Sequence, residues 1–223
     1  MMSPSEVRDY LRAAAITLSA CLALGISVCA ADIPGYPEQV QGYDRRELAL
    51  LPRYCLYTQD FRARIPGGNN QAEIERLTRQ MGSSFNHMHH YCWGLMKTNR
   101  AMLLARTPQD RRFNLVSAVD EFNYVINNAT SDFGLLPEIF TKRGENLLRL
   151  QRTGAGLVDL QHAIRLKADY WPAYAVISDH YKAAGELEKA REWLKKGLAN
   201  APTAKALSQR LAALEAPRSR GRQ

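Results

Sequence analysis

From Pro137 onward the chain repeats itself every 34 residues without a gap, and this spacing restricts the fold more than any other feature of the sequence. Phe140, Arg143, Gly144, Leu147, Gly156, Leu160, Ala163 and Ala168 in one unit are matched by Tyr174, Ile177, Ser178, Tyr181, Ala190, Leu194, Gly197 and Pro202 in the next. The matched sites divide by size. Small residues at Gly144 and Ser178, Gly156 and Ala190, and Ala163 and Gly197 let paired helices approach, while Phe140, Tyr174, Leu147, Tyr181, Leu160 and Leu194 fill the space between them. A unit of this length holds one helix pair, which buries its apolar face only against its neighbours and so must occur in a stack.

The second unit resembles the tetratricopeptide repeat family. Tyr174 stands at the leading aromatic site and Ile177-Ser178 at the Leu-Gly site, followed by Tyr181, Ala190, Leu194, Gly197 and the terminal Pro202. The first unit departs from the pattern, with Arg143 at an apolar site and Ala168 in place of the closing proline. The resemblance implies an all-α fold: antiparallel helix pairs stacked as a short right-handed solenoid, with repeats at 137–170 and 171–204 within 137–202 and a capping helix at 203–215. A third, divergent pair is expected at 87–132, where Trp93-Gly94 supplies a first helix and Ala118, Phe122 and Val125 a second. Gly94 and Ala118 lie farther apart than Gly144 and Gly156, so that pair would carry a lengthened helix.

The family resemblance also implies a function. Ligands of such proteins lie in a concave groove lined by the first helix of each pair, which maps here to Glu138, Thr141, Lys142, Glu145 and Arg149, then Ala175, Asp179 and Lys182. The Lys-Asn set that clamps a C-terminal carboxylate in chaperone-binding relatives is missing. The expectation is a non-enzymatic scaffold or adaptor for a protein or peptide of mixed charge.

Residues 1–30 read as a secretory signal: Arg8 and Arg12, an apolar run from Ala13 to Val28, then Val28 and Ala30 as small residues before a cut at Ala31. The run is short for a membrane span. An uncleaved anchor is the rival reading, and Leu18-Ser19-Ala20-Cys21 resembles a lipobox that would make a membrane lipoprotein through Cys21. The expected compartment is the periplasm. Cleavage would leave Cys55 and Cys92 as the mature cysteines, which should pair in an oxidising compartment.

Residues 31–43 read as a Pro- and Gly-rich linker and 44–136 as a helical N-terminal region. Within it, Asp44 with Glu47 and Asn70 with Glu73 make helix starts, Gly82 a helix stop and Thr107-Pro108 a break. Met88, Cys92, Leu95, Met96, Asn99, Met102 and Leu103 recur at three- and four-residue steps, predicting one amphipathic helix to about Arg106. The net charge is +8, part of it in Arg218, Arg220 and Arg222 of a basic tail at 216–223 suited to an anionic membrane surface. No aromatic-basic module of the kind that stacks nucleobases is visible, so nucleic acid is not an expected partner.

His87, His89 and His90 beside Cys92 form the most chemically suggestive stretch, and a metal-binding or redox accessory is the alternative function. The competing expectation is that these histidines flank the core and pack on aromatic neighbours. No phosphate loop, nucleophile elbow, His-Glu-x-x-His or haem motif occurs, so neither catalysis nor a cofactor is expected. Asp120 and Glu121 read as a solvated face.

Overall fold

The computed structural model describes residues 45–216, with side chains from Glu47 onward. The expected signal at 1–30, Cys21, the linker at 31–43, Asp44 and the tail arginines 218, 220 and 222 lie outside the described residues. Among the described residues every regular element is a helix. In order these are α1 (Arg45–Ala49), a 3-10 turn (Arg53–Tyr57), α2 (Gln59–Arg62), α3 (Gln71–Met81) and a second 3-10 turn (Gly82–His87). Then follow α4 (Met88–Asn99), a π turn (Arg100–Leu104), α5 (Pro108–Asn128), α6 (Leu136–Arg149), α7 (Thr153–Leu166), α8 (Trp171–Ala183), α9 (Leu187–Asn200) and α10 (Lys205–Glu215).

Local chemistry sets most of these ends. The Asn70 side chain accepts from the Glu73 amide at 3.2 Å to open α3, and Gly82, at φ 61°, closes it in a conformation that glycine adopts freely. Thr107 accepts from the Asp110 amide at 3.0 Å, and Pro108 follows at the first helical position, where its missing N–H costs nothing. The second helices of the C-terminal half, α7 and α9, begin at Thr153 and Leu187 and end at Leu166 and Asn200, 34 residues apart at both ends. The turns before them match as well: Gln151 has φ 62° and Gly185, 34 residues later, φ 80°.

Close approach comes from the small residues. A Cβ built on Gly144 would lie 2.9 Å from the Gly156 carbonyl oxygen, and one on Gly156 would lie 2.8 Å from that of Gly144, so α6 and α7 touch backbone to backbone. Contacts pairing Gly144 with Leu160 and Leu148 with Gly156 make the two helices antiparallel. Tyr174 fills the notch at Gly197 between α8 and α9, and Phe122 the notch at Gly94 between α4 and α5. The first helices pack in series, α4 on α6, α6 on α8 and α8 on α10, while α5, α7 and α9 pack against the first helices on either side. Leu160, Ile177, Leu194 and Leu207 are fully buried along this line, each stabilising by about 1.5–3 kcal/mol before entropy is counted.

The N-terminal region is built onto the same core. Tyr57, Leu77, Phe85, Met88 and Tyr91 join Phe122, Val125, Leu136 and Ile139 in one cluster. Cys55 and Cys92 form the expected disulfide, with Cα atoms 5.7 Å apart, and it pins the first 3-10 turn to α4 beside Phe61, Trp93 and Met96.

Two expectations need correction. The helix predicted to reach Arg106 ends at Asn99 and passes into the π turn, whose extra residue rotates the face. Arg100 and Ala101 thereby turn inward, and Met102 and Leu103, expected on the apolar face, are exposed. A helix does open at Arg45, where the Asp44–Glu47 pattern placed a start, and Glu47 in its first turn is buried against Arg100, with Nε at 2.5 Å and Nη2 at 2.9 Å from its carboxylate, because a buried guanidinium requires a counter-charge. Glu121 is not solvated: it lies between α4 and α5, while Asp120 is exposed.

Candidate binding face

Glu138, Lys142, Glu145 and Arg149 follow one another on α6 at steps of four, three and four residues, which places them on one face of the helix. All four are partly exposed, whereas the intervening Ile139, Thr141, Gly144, Asn146 and Leu147 are buried. The stripe alternates in sign along its length. Arg149 donates to Glu145 at 2.6 Å and to the Asn146 side-chain oxygen at 3.0 Å, so its guanidinium is held rather than free. Asn146 in turn donates to the Thr98 hydroxyl at 2.7 Å, and Thr98 donates to the Gly94 carbonyl at 2.8 Å, tying α6 to α4 under the stripe.

Glu138, at the start of the stripe, sits in a group of tyrosines. The Tyr91 hydroxyl donates to it, and Tyr54 and Tyr170 lie within its field. Burial, followed by the Glu138 charge, pushes the Tyr54 and Tyr170 hydroxyls well above the usual tyrosine range. Tyr91 is raised as well, by burial first and then by Tyr54 and Glu138. All three therefore stay protonated at neutral pH, and Tyr91 serves as the donor to the Glu138 carboxylate.

On α8, Asp179 and Lys182 are exposed, and Asp179 accepts from Arg210 of α10 at 3.1 Å. Two expected groove residues do not face solvent. Thr141 is buried and returns its hydroxyl to the Pro137 carbonyl at 2.8 Å, and Ala175 is buried against α10 through the cluster holding Leu194 and Leu207. The face therefore comprises Glu138, Lys142, Glu145 and Arg149 on α6 with Asp179 and Lys182 on α8. Arg143, the departure from the repeat pattern, points the other way: it pairs with Asp159 of α7 and donates to the Asn123 side chain of α5 at 2.8 Å.

The histidines form a different arrangement. His90 stacks on Tyr124 with ring centroids 3.6 Å apart, His87 tilts against the same ring at 5.8 Å, and His89 lies 4.3 Å from His90. His90 Nδ1 is 2.6 Å from one Glu121 oxygen, and Lys97 Nζ donates to the other at 2.7 Å. Among the described residues no group of three or more His, Cys, Asp or Glu is placed to hold a metal ion, and the Cys92 sulfur is committed to the disulfide.

The tyrosines around Glu138 and the Lys97–Glu121–His90 contact escaped the sequence reading. Their partners lie 47, 31 and 24 residues apart, and no local period links them. No protein-family model matches the chain, and comparison with curated proteins returns no match.

Proposed function

We propose that this chain is a tetratricopeptide-like scaffold of the bacterial cell envelope, a short right-handed solenoid that holds a protein or peptide along the face of α6 and α8 and catalyses no reaction. The observation that carries this reading is the stripe of alternating charge from Glu138 to Arg149, left facing outward by a helix whose other sides are packed. A partly exposed row of both signs, resting on a rigid hydrogen-bonded base, suits an extended or helical segment of mixed charge. The 34-residue recurrence of helix ends and left-handed turns supports the repeat assignment. The disulfide is compatible with the oxidising periplasm implied by the expected signal.

The test is a pull-down from an envelope extract with the exported protein, comparing Lys142→Glu and Lys182→Glu with the unaltered chain. These two lysines are chosen because Arg149 is tied to Glu145 and Asn146, so its replacement would disturb packing as well as charge. Both variants should keep their helical circular dichroism and lose the partner. A partner retained equally by both would remove the face from the proposal.

A further inference from the structure

The π turn carries three consecutive apolar side chains that the fold does not bury: Met102 is 42% exposed, Leu103 64% and Leu104 58%. The turn is closed by the Ala105 amide donating to the Arg100 carbonyl at 2.9 Å, and it leads into α5 through Thr107 and Pro108. Three exposed arginines, Arg106, Arg111 and Arg112, follow it along the chain with a single acid, Asp110, among them. Arg111 reaches back over the turn, with Nη2 3.8 Å from the Met102 sulfur. A further exposed leucine, Leu50 at 53%, directly follows α1, and the Glu47–Arg100 ion pair joins α1 to the head of the π turn. Leu50 and Leu103 each lie three residues beyond one partner of that pair.

We infer that the π turn is a membrane-contacting tip, at which Met102, Leu103 and Leu104 enter the boundary between headgroups and acyl chains of an anionic lipid surface while Arg106, Arg111 and Arg112 hold the headgroups. An apolar tip with a basic rim is the pattern of interfacial binding, where apolar insertion and electrostatic attraction add. The rim discriminates among occupants. The apolar run from Ala13 to Val28 carries no acidic residue to meet three arginines. A second copy docked symmetrically would set the same arginines against each other. The inference does not depend on the binding face of α6 and α8.

Hydrogen–deuterium exchange on the full chain tests it locally, whatever the leader does. Adding vesicles of phosphatidylcholine with phosphatidylglycerol should slow exchange across residues 100–113, and vesicles of phosphatidylcholine alone should protect them much less. Replacing all three arginines with glutamine should weaken that protection about 100-fold in lipid concentration, at a factor of roughly five for each arginine near an anionic surface. Leu103→Ser with Leu104→Ser should weaken it at least roughly tenfold while leaving the circular dichroism spectrum intact, because neither leucine is packed. Unchanged exchange at 100–113 on anionic vesicles would overturn the inference. So would protection that appears without lipid as protein concentration rises, which would assign the tip to self-association.

Discussion

Arg143 and Asp159 form a two-pronged ion pair between α6 and α7, with the guanidinium Nε and Nη2 each 2.7 Å from a carboxylate oxygen. Asp159 is buried, so removing Arg143 alone strands a charge. Arg143→Leu should therefore destabilise by about 3–5 kcal/mol, whereas Arg143→Leu with Asp159→Leu should cost far less. Urea denaturation of the two single variants and the double variant checks this. Equal losses in the single and double variants would mean that the pair acts through packing alone.

The disulfide closes a separation of 37 residues between the first 3-10 turn and α4. Cys55→Ser with Cys92→Ser should lower stability by about 3–4 kcal/mol through the enlarged freedom of the unfolded chain. Denaturation with and without reductant should give the same loss for the unaltered protein and none for the double variant.

Two glycines in α7 should respond with opposite signs. Gly156→Ala forces a methyl against the Gly144 carbonyl and should cost about 1–3 kcal/mol. At Gly154, two residues earlier, a methyl meets nothing, and alanine should be neutral or stabilising by up to about 1 kcal/mol. Thermal melts of the two variants separate close approach from helix propensity.

The matched turns give a similar contrast. Gly185→Ala places a side chain at φ 80°, with nothing nearby to clash, and should cost about 1–2 kcal/mol from backbone conformation alone. Gln151 already bears that strain at φ 62°, so Gln151→Gly should not destabilise, and its melting temperature should equal or exceed that of the unaltered chain.

Acid should weaken the fold in two stages. Burial would raise the Glu121 carboxyl, but hydrogen bonds and charge from His90 and Lys97 outweigh it and hold the group below its ordinary 4.5. His89 is held below its ordinary 6.5, by burial first and then by His90. Each folded-state value is depressed, so the unfolded chain binds more protons and stability rises with pH through each window. Urea midpoints should decline below about 6.5 as His89 takes up a proton, and again below about 4.5 as Glu121 does. Glu121→Gln should flatten the lower stage and deepen the upper one slightly, because the Glu121 charge partly offsets the depression of His89.

The sequence carried the helices because their signals are local. Asn70, Gly82, Thr107 and Pro108 each act within a few residues, and the repeat period placed α7 and α9. Cys55 and Cys92 were legible by elimination. What escaped depends on distant partners: the bend at Arg100 follows from Glu47, 53 residues away, and the setting of Glu138 from Tyr91, 47 residues away. The candidate face was read in part. Glu138, Lys142, Glu145 and Arg149 share a helix face that numbering alone predicts, but Thr141 could be removed only once its hydroxyl was seen bonded to Pro137.

The ion pairs at the two ends of the described helices differ in their access to water, and that difference gives unravelling a direction. Arg210–Asp179, which fastens α10 to α8, is open to solvent on both sides and contributes little. Arg100–Glu47 is enclosed, and the disulfide backs it on the adjoining turn. In a stack held by nearest-neighbour contacts, opening spreads from the weaker end. Amide exchange should accordingly be fastest in α10 and slow progressively toward α4, so a protease would shorten the chain from its C-terminal helix before it reached the charged stripe of α6.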